Sequence, residues 1–500
     1  MEPLSVANAA TRTLSLVHYS ERLLLIAISA ISVVLLQNAL SSWRAASVKW
    51  PPGPPAWPII GHLHLLGHLP HQSLCKLAQT YGPLLGLRLG GVPVIVAPSP
   101  QMAKEILQTH DAALAYRPRT AAAVHVCFDS SDVAYAPLGP YWKFLRQVYA
   151  TELFGPKKMD AFRYVREGEA RGLVRAVLQR CGEGGAPVEA QVGSLHNLIE
   201  DVLHLLGVFY SGDYVPWLAW LDPHGYLKSM KVTAQRTQAL LQGVIDERRQ
   251  LHNSKSVGAE EKGPHDLLDV LLAASRTNEE VPMTDKHIMA AIQDVFVGGS
   301  DTSATSVEWA LVELINHPKA MIKLHQEMDN VVGKGRLVEE SDIPNLTYLE
   351  YVIKESMRLH PIAPFLIPRE AKQECTIGGF KIFPGTHIYV NTWAIGRDSS
   401  AWEEPLQFLP ERFAKKNIDL RGQHFDFLPF GMGRRRCPGW ALGISNVRLM
   451  LATLIQAFTW HCVSETSQGI LDMSEKFGLT VDMAKHLQAI ATPRLPLHLY

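Results

Sequence analysis

Residues 430–439 read FGMGRRRCPG, one cysteine behind three arginines, framed by glycines and closed by Pro-Gly. The glycines allow a turn tight enough for backbone N–H groups to point at the sulfur. Those donors, together with a following helix N-terminus, stabilise a thiolate and lower its pKa. A core cysteine in a basic turn is the alternative, but a purely structural thiol does not need three cations beside it. A metal-bound thiolate next to something anionic uses them. Phe430, Gly433, Arg435, Cys437 and Gly439 spell F-x-x-G-x-R-x-C-x-G, and a helix-like run follows from Ala441. Porphyrin iron would supply both a metal for Cys437 and propionates for Arg435. An axial thiolate also pushes electron density onto the iron and favours O–O cleavage.

The rest of the chain offers no competing use for that thiol. Cys75, Cys127, Cys181, Cys375, Cys437 and Cys462 are scattered without a C-x-x-C pair. That argues against a zinc ribbon, a redox dithiol and a disulfide scaffold alike. Hydrophobic residues make up 47% of the 500 and charged residues 19%, the composition of a globular chain with a large core. The 48 basic and 48 acidic residues cancel to a formal net charge of zero, and no basic-aromatic stripe points to nucleic acid. Length alone suggests about three domains at roughly 150 residues each, yet no linker or internal repeat divides the chain.

The N-terminus is a different material. From Leu23 to Trp43, LLLIAISAISVVLLQNALSSW runs for 21 residues without a charge, enough to cross a ~30 Å hydrocarbon core as a helix. A secretory signal cleaved near Ala45-Ala46 is the alternative, although such signals have apolar cores of only ~7–15 residues. The expectation is a tail over 1–22 and a transmembrane anchor over 23–43. Arg12 and Arg22 before the segment, and Arg44 and Lys49 after it, leave its orientation open. A Pro-rich hinge over 44–61 follows. Its stretch PPGPPAWPIIG (Pro51 to Gly61) opens with five prolines in eight residues, which excludes helix and central strand and predicts a stiff spacer. His62, His64, His68 and His71 come next; without flanking carboxylates they read as surface or packing histidines.

Residues 84–97, LLGLRLGGVPVIVA, are apolar runs split by Gly-Gly and Pro, a β-hairpin pattern. From about 100 to 330 helical periodicity dominates, broken by polar loops such as 254–266. A second β region spans 375–391, and past 441 a helix and a β-leaning tail close the chain. The expected fold class is mainly α with small β-sheets (α+β), one catalytic domain over 62–500.

Further pairings carry chemistry. Trp142 and Arg146, W-x-x-x-R, share a helix face at i, i+4. GGSDTS (Gly298 to Ser303) puts two glycines mid-helix, at roughly 1 kcal/mol each relative to alanine. A groove for oxygen over a metal explains that cost. Asp301 and Thr302 add an acid and an alcohol, as proton delivery to bound dioxygen requires; a surface-capping Asp-Thr is the alternative. Glu355 and Arg358 form E-x-x-R on a helix, Arg412 lies in PERF and Arg369 in IPRE.

In this order and from Pro51 onward, these motifs resemble the cytochrome P-450 superfamily. The resemblance implies that fold with an N-terminal transmembrane helix, and haem b with Cys437 as axial ligand. It also implies Trp142, Arg146, Arg369 and Arg435 at the haem propionates, with Phe430 and Gly439 in the thiolate loop. Asp301 and Thr302 would deliver protons, while Glu355, Arg358 and Arg412 would form a buried structural network. The anchor and PPGPP hinge are similar to those of the eukaryotic microsomal branch. That implies a single-pass protein of the endoplasmic reticulum membrane with its catalytic domain facing the cytosol, and an unused sequon at Asn345. Electrons would come from NADPH through a separate NADPH–cytochrome P-450 reductase.

FGMGRRRCPG, AIGRD (394–398) and GGSDTS resemble the plant A-type branch. VPWLAWLDPHG (215–225), LVEESDIPNLTYLE (337–350) and LDMSEKFGLT (471–480) resemble ferulate 5-hydroxylases. AIATPRLPLHLY (489–500) resembles coumaroyl-ester 3-hydroxylases, and flavonoid 3'-hydroxylases share much of this. The implied reaction is meta-hydroxylation of a small aromatic substrate by dioxygen. Candidates are lignin precursors such as coniferaldehyde, coniferyl alcohol or p-coumaraldehyde, oxidised at ring position 5 and also 3, with flavonoid 3'-hydroxylation as the alternative. The resemblance places substrate-facing segments at 117–136, 208–226, 294–302, 362–368 and 476–482. Phe128, Phe296, Gly298, Phe365 and Leu479 are pocket candidates, the apolar ones equally readable as packing. A haem-thiolate isomerase or dehydratase, or a haem sensor without turnover, would not need the Asp301-Thr302 pair.

Overall fold

The computed structural model describes residues 49–182, 194–254, 266–277, 281–416, 418–462 and 471–500. The expected anchor over 23–43 and the loop over 255–265 lie outside the described residues. Among the described residues no helix is long and apolar enough to cross a membrane.

The helical body expected after residue 100 is built largely from α1 (Pro70–Tyr81), α2 (Pro140–Val148), α3 (Arg163–Gly182), α4 (Ser194–Gly207), α5 (Tyr226–Ser254), α6 (Leu267–Thr277), α7 (Asp285–Gly299), α8 (Asp301–Asn316), α9 (Pro318–Val331), α10 (Thr347–Leu359) and α11 (Trp440–Ala457). Proline opens α1, α2 and α9, where its missing N–H breaks no helical bond and its φ is preset. α10 stops at His360, because Pro361 disfavours helical backbone in the residue before it. In α11 the buried Ile444, Val447, Leu451, Leu454 and Ile455 recur at three- and four-residue spacing. They meet Leu311 and Leu314 of α8, Leu324 and Met328 of α9, Val352 and Ile353 of α10, and Val174 and Val177 of α3. Each such buried side chain is worth about 1.5–3 kcal/mol. This cluster fixes α8, α10 and α11, the helices that carry or adjoin the site.

The strands are β1 (Leu85–Leu89), β2 (Val92–Ala97), β3 (Arg369–Glu370), β4 (Cys375–Ile377), β5 (Phe380–Ile382), β6 (His387–Val390), β7 (Phe458–Cys462), β8 (Glu475–Phe477), β9 (Val481–Met483) and β10 (Ala489–Pro493). β1 and β2 form the hairpin expected over 84–97, with Leu89 opposite Val92 across Gly90-Gly91. β6 joins β2 in parallel and β3 antiparallel, giving the order β1-β2-β6-β3. The second β region therefore divides: β4 and β5 make their own hairpin, and β6 crosses to the larger sheet. β7 pairs with β10, and β8 with β9.

The early histidines pack, as expected. His62 Nε2 donates to the Pro54 carbonyl at 2.9 Å and Nδ1 accepts from the Arg88 N–H at 2.8 Å. His64 stacks on Trp57, and buried His71 pairs with Glu475 at 2.7 Å. Among the described residues no cluster of His, Cys, Asp and Glu could hold a metal.

Candidate active site

The cysteine loop leads directly into α11 and closes on itself. The Cys437 N–H donates to the Phe430 carbonyl at 3.0 Å, and the Arg436 N–H to the Gly433 carbonyl at 3.1 Å. Gly433 has φ +76°, and a Cβ there would collide with the Asp111 carboxylate and the Leu107 carbonyl, so glycine is required. The Gly439 amide donates to the Cys437 sulfur, and Arg146 and Arg436 favour its anion. Burial nevertheless outweighs them and pushes the thiol pKa up. The loop alone therefore does not make the low-pKa thiolate expected of it; metal coordination would, since a coordinating thiol is deprotonated outright.

Cys437 lines a cavity of about 290 Å³ together with Gly298, Thr302 and Ser306. GGSDTS is not mid-helix, as expected, but at a break: α7 ends at Gly299, Ser300 takes φ −87° and ψ −71°, and α8 starts at Asp301. Hydroxyls explain the break. Ser300, Thr302, Ser303 and Ser306 donate to the carbonyls of Phe296, Gly298, Gly299 and Thr302, each four residues back. Such bonds compete with the backbone ladder and bend helices. A Cβ at Gly298 or Gly299 would meet nothing within 4 Å, so the two glycines border open space.

Guanidinium groups gather along one edge of the cavity. Arg146 donates to the Arg436 carbonyl at 2.7 Å and lies over the Trp142 ring. Trp142 Nε1 donates to the Val133 carbonyl at 3.2 Å. Arg435 covers the same ring and donates to the carbonyls of Ala115, Val133 and Ala136. Arg369 pairs with Asp111 at 2.7 Å and donates to the Met432 carbonyl. Arg117, in the expected segment 117–136 but not among the expected propionate partners, donates to carbonyls of Ala134, Ile367 and Pro368. Burial, and then repulsion from Arg369, pulls the Arg435 pKa down to about 10. Burial, with Arg435 and Arg369, pulls Arg117 well down. Cations that repel one another around a buried space accommodate an anion. A cofactor with a thiolate-seeking metal and two carboxylates fits this donor set: Cys437 would hold the metal, and Arg146, Arg369, Arg435 and Trp142 would hold the carboxylates.

Other expected residues divide. Gly298, Thr302, Phe430 and Leu479 line the cavity. Phe296 does not: it is 44% exposed on the outer face of α7. Phe128 packs instead on a core cluster with Leu145 and Ile288. Phe365 is buried and lines a smaller adjoining chamber, as do residues 208, 209, 213 and 214 of the 208–226 segment. Asp301 is 5% exposed and lies outside the cavity wall. Asp132 and Asp294, within the expected segments 117–136 and 294–302, line the cavity too, as does Gln293 just outside them. Asp294 accepts from the Val133 N–H and the Tyr149 hydroxyl, both at 2.8 Å. Burial and the neighbouring Asp132 push its pKa well up.

The Glu355 network forms as expected. Glu355 accepts from Arg358 Nε and Nη2 at 2.8 Å each, from Arg412 Nε at 2.9 Å and from the Leu409 N–H at 2.8 Å. Arg358 also holds the carbonyls of Gly396, Pro405 and Gln407. The network thus ties α10 to the segment leading into the cysteine loop.

The model of the Cytochrome P450 family matches residues 51–192 and 189–487. The chain belongs to this family. It is 40% identical to a flavonoid 3'-monooxygenase of Petunia hybrida over 517 residues, covering 96% of this chain and 99% of that protein. It is 39% identical to a 3,9-dihydroxypterocarpan 6A-monooxygenase of Glycine max, covering 91% of this chain and 95% of that protein. Among solved structures, a zebra fish cytochrome P450 with progesterone superposes with TM-score 0.68 at 26% identity, covering 85% of this chain and 99% of that chain. The P450 chain described here is an oxygen-inserting oxidoreductase, and its family carries haem on a cysteine thiolate.

Proposed function

We propose that Cys437 is the axial ligand of haem b and that the enzyme hydroxylates the meta position of a phenolic ring with electrons from NADPH delivered by a partner reductase. The observation that carries this reading is the cavity itself, lined at once by Cys437, by Gly298 and Thr302 at a helix break, and by several guanidinium groups. Haem on a thiolate supplies dioxygen activation, because the thiolate favours O–O cleavage. Thr302, whose hydroxyl donates to the Gly298 carbonyl at 2.8 Å, holds a proton at the cavity wall. Asp301 beside it, pushed up to about 6 by burial and Asp482, can give and regain a proton near neutral pH. Leu203, Leu206, Val297, Ile362 and Leu366 exclude water, while Gln293 and Asp294 offer polar anchors to a phenol.

Two substrate classes have specific support. The flavonoid 3'-monooxygenases of Petunia hybrida and Oryza sativa subsp. japonica, each 40% identical, favour a flavonoid. The stretches at 215–225, 337–350 and 471–480 favour a lignin precursor such as coniferaldehyde. Expression in microsomes with a plant reductase, against naringenin, coniferaldehyde, coniferyl alcohol, p-coumaraldehyde and p-coumaroyl shikimate, separates them. Hydroxylation of naringenin alone removes the phenylpropanoid reading, and hydroxylation of phenylpropanoids alone removes the flavonoid one. Inertness toward all five removes the phenol reading.

The reading includes residence at the endoplasmic reticulum membrane, catalytic domain toward the cytosol. Trp57, Ile59, Trp217, Trp220 and Leu221 are exposed. The β1–β2 turn links their two segments, since Gly61 pairs with Leu89 and the Gly91 N–H donates to the Tyr214 carbonyl. Exposed apolar groups gathered this way suit a membrane surface.

A further inference from the structure

Asp301 is the acid of the proposed proton pair, yet it points away from the cavity that its neighbour Thr302 lines. Its Oδ2 is buried without a hydrogen-bond partner. The charged group that acts on it most strongly is Asp482 of β9, followed by His196, Glu200 and His486. Thr305, one turn further along α8, donates to Asp482 Oδ1 at 2.9 Å. The Asp482 carboxylate is thereby held over the same helix face as Asp301, about one 5.4 Å turn away.

From Asp482 the charged groups continue outward. Thr480 donates to its Oδ2 at 3.4 Å, and Lys476, Glu200 and Glu308 act on it electrostatically. Glu200 of α4 lies 3.4 Å from His196, 3.4 Å from His486 and 3.8 Å from Lys476. His486, half-exposed, reaches Glu308 at 3.2 Å.

We propose that protons reach Asp301 from solvent through the Asp482 carboxyl, entering at the Glu200–His486–Lys476 cluster, which makes Asp482 a positioning residue for the proton. This rests on the reading of Asp301 as proton donor. After Asp301 has given up its proton, the proton of the Asp482 carboxyl passes to the Asp301 carboxylate. Asp482 is left as the carboxylate, a proton from the surface cluster restores it, that cluster is reprotonated from the buffered solvent, and no electrons move. Burial holds both carboxyls above their ordinary pKa values, so neutral forms are available for the exchange.

Asp482→Asn tests the route, because asparagine keeps the acceptor for Thr305. The full-length holoenzyme with its reductase is assayed for NADPH oxidation and hydrogen peroxide release with naringenin as probe, in H2O and D2O, with haem content measured alongside. Expected are roughly tenfold slower NADPH oxidation, below the hundredfold or more associated with a full general acid, and a larger solvent isotope effect. Asp482→Glu should restore both. Infrared pH titration of the same proteins supplies a readout independent of turnover. A carboxyl band titrating at about 6 in the wild type should move to lower pH in Asp482→Asn and vanish in Asp301→Asn. If Asp482→Asn oxidises NADPH at the wild-type rate with an unchanged isotope effect while Asp301→Asn is slow, the route is wrong and the role of Asp301 stands. If Asp301→Asn is also unaffected, both readings fall.

Discussion

Glu355→Ala should destabilise the protein far more than Arg412→Ala, although the two side chains share a hydrogen bond. Glu355 and Arg358 are both 0% exposed at their side chains. Deleting the carboxylate strands the Arg358 guanidinium in the core, where breaking a buried pair costs about 3–5 kcal/mol. Deleting Arg412 removes one of four donors; Glu355 keeps two bonds from Arg358 and one from the Leu409 N–H. That loss is one charge-assisted bond, about 1.5–3 kcal/mol, beside exposed bonds to the carbonyls of Glu403, Glu404 and Gln407 that water can replace. Against a total stability of roughly 5–15 kcal/mol, the first change is severe and the second tolerable. Urea unfolding of each holoprotein by circular dichroism gives the difference, read from midpoints at unchanged slope. The double variant should cost less than the two single losses added, because the Glu355–Arg412 bond can be lost only once. A loss under about 1 kcal/mol in Glu355→Ala, or an equal loss in Arg412→Ala, would refute the reasoning.

Thr302→Ala should divert reducing equivalents to hydrogen peroxide several-fold with haem content unchanged; unaltered coupling of NADPH to product would remove the hydroxyl from proton delivery. Asp301 has a folded pKa of about 6, raised from 3.8, so the folded state holds the proton more tightly. Stability then falls as pH rises from about 4 to about 6, by up to about 3 kcal/mol at 1.36 kcal/mol per unit. Asp301→Asn should flatten that fall in urea titrations across this range, and an identical slope in both proteins would contradict it. Gly433→Ala meets both a left-handed φ and a clash and should cost most of the haem content on purification. Gly439→Ala, which meets only Phe154 at ordinary contact distance, should keep it.

The sequence made legible those features whose signals are local. The turn glycines of FGMGRRRCPG, the i, i+3 spacing of Glu355 and Arg358, and the Gly-Gly of the first hairpin each dictate their own backbone, and each took the shape expected. What was not legible depended on contacts distant in sequence. The four hydroxyls that break the helix at Ser300 could be counted, but their choice of backbone carbonyls over solvent depends on packing. Asp301 is absent from the cavity lining and feels the charge of Asp482, some 180 residues away, and nothing in GGSDTS encodes that neighbour. Phe296 and Phe128 fall in segments that the family resemblance marks as substrate-facing, but α7 presents the first outward and core packing claims the second. Asp294 opens the expected segment 294–302 and precedes Gly298 by four residues on one face of α7, so its place at the cavity was legible. Arg117 falls in the expected segment 117–136, but its role depends on the carbonyls of Ala134, Ile367 and Pro368, two of them some 250 residues away.

Thiolate ligation of haem by Cys437 is the claim on which the rest stands. The reduced carbonyl difference spectrum of Cys437→Ser, measured beside the wild type on full-length protein from the same membranes, tests it most directly. The wild type should show the strongly red-shifted Soret band of a thiolate-ligated haem, and the variant should lose it. The same red-shifted band in Cys437→Ser would mean that another residue holds the iron.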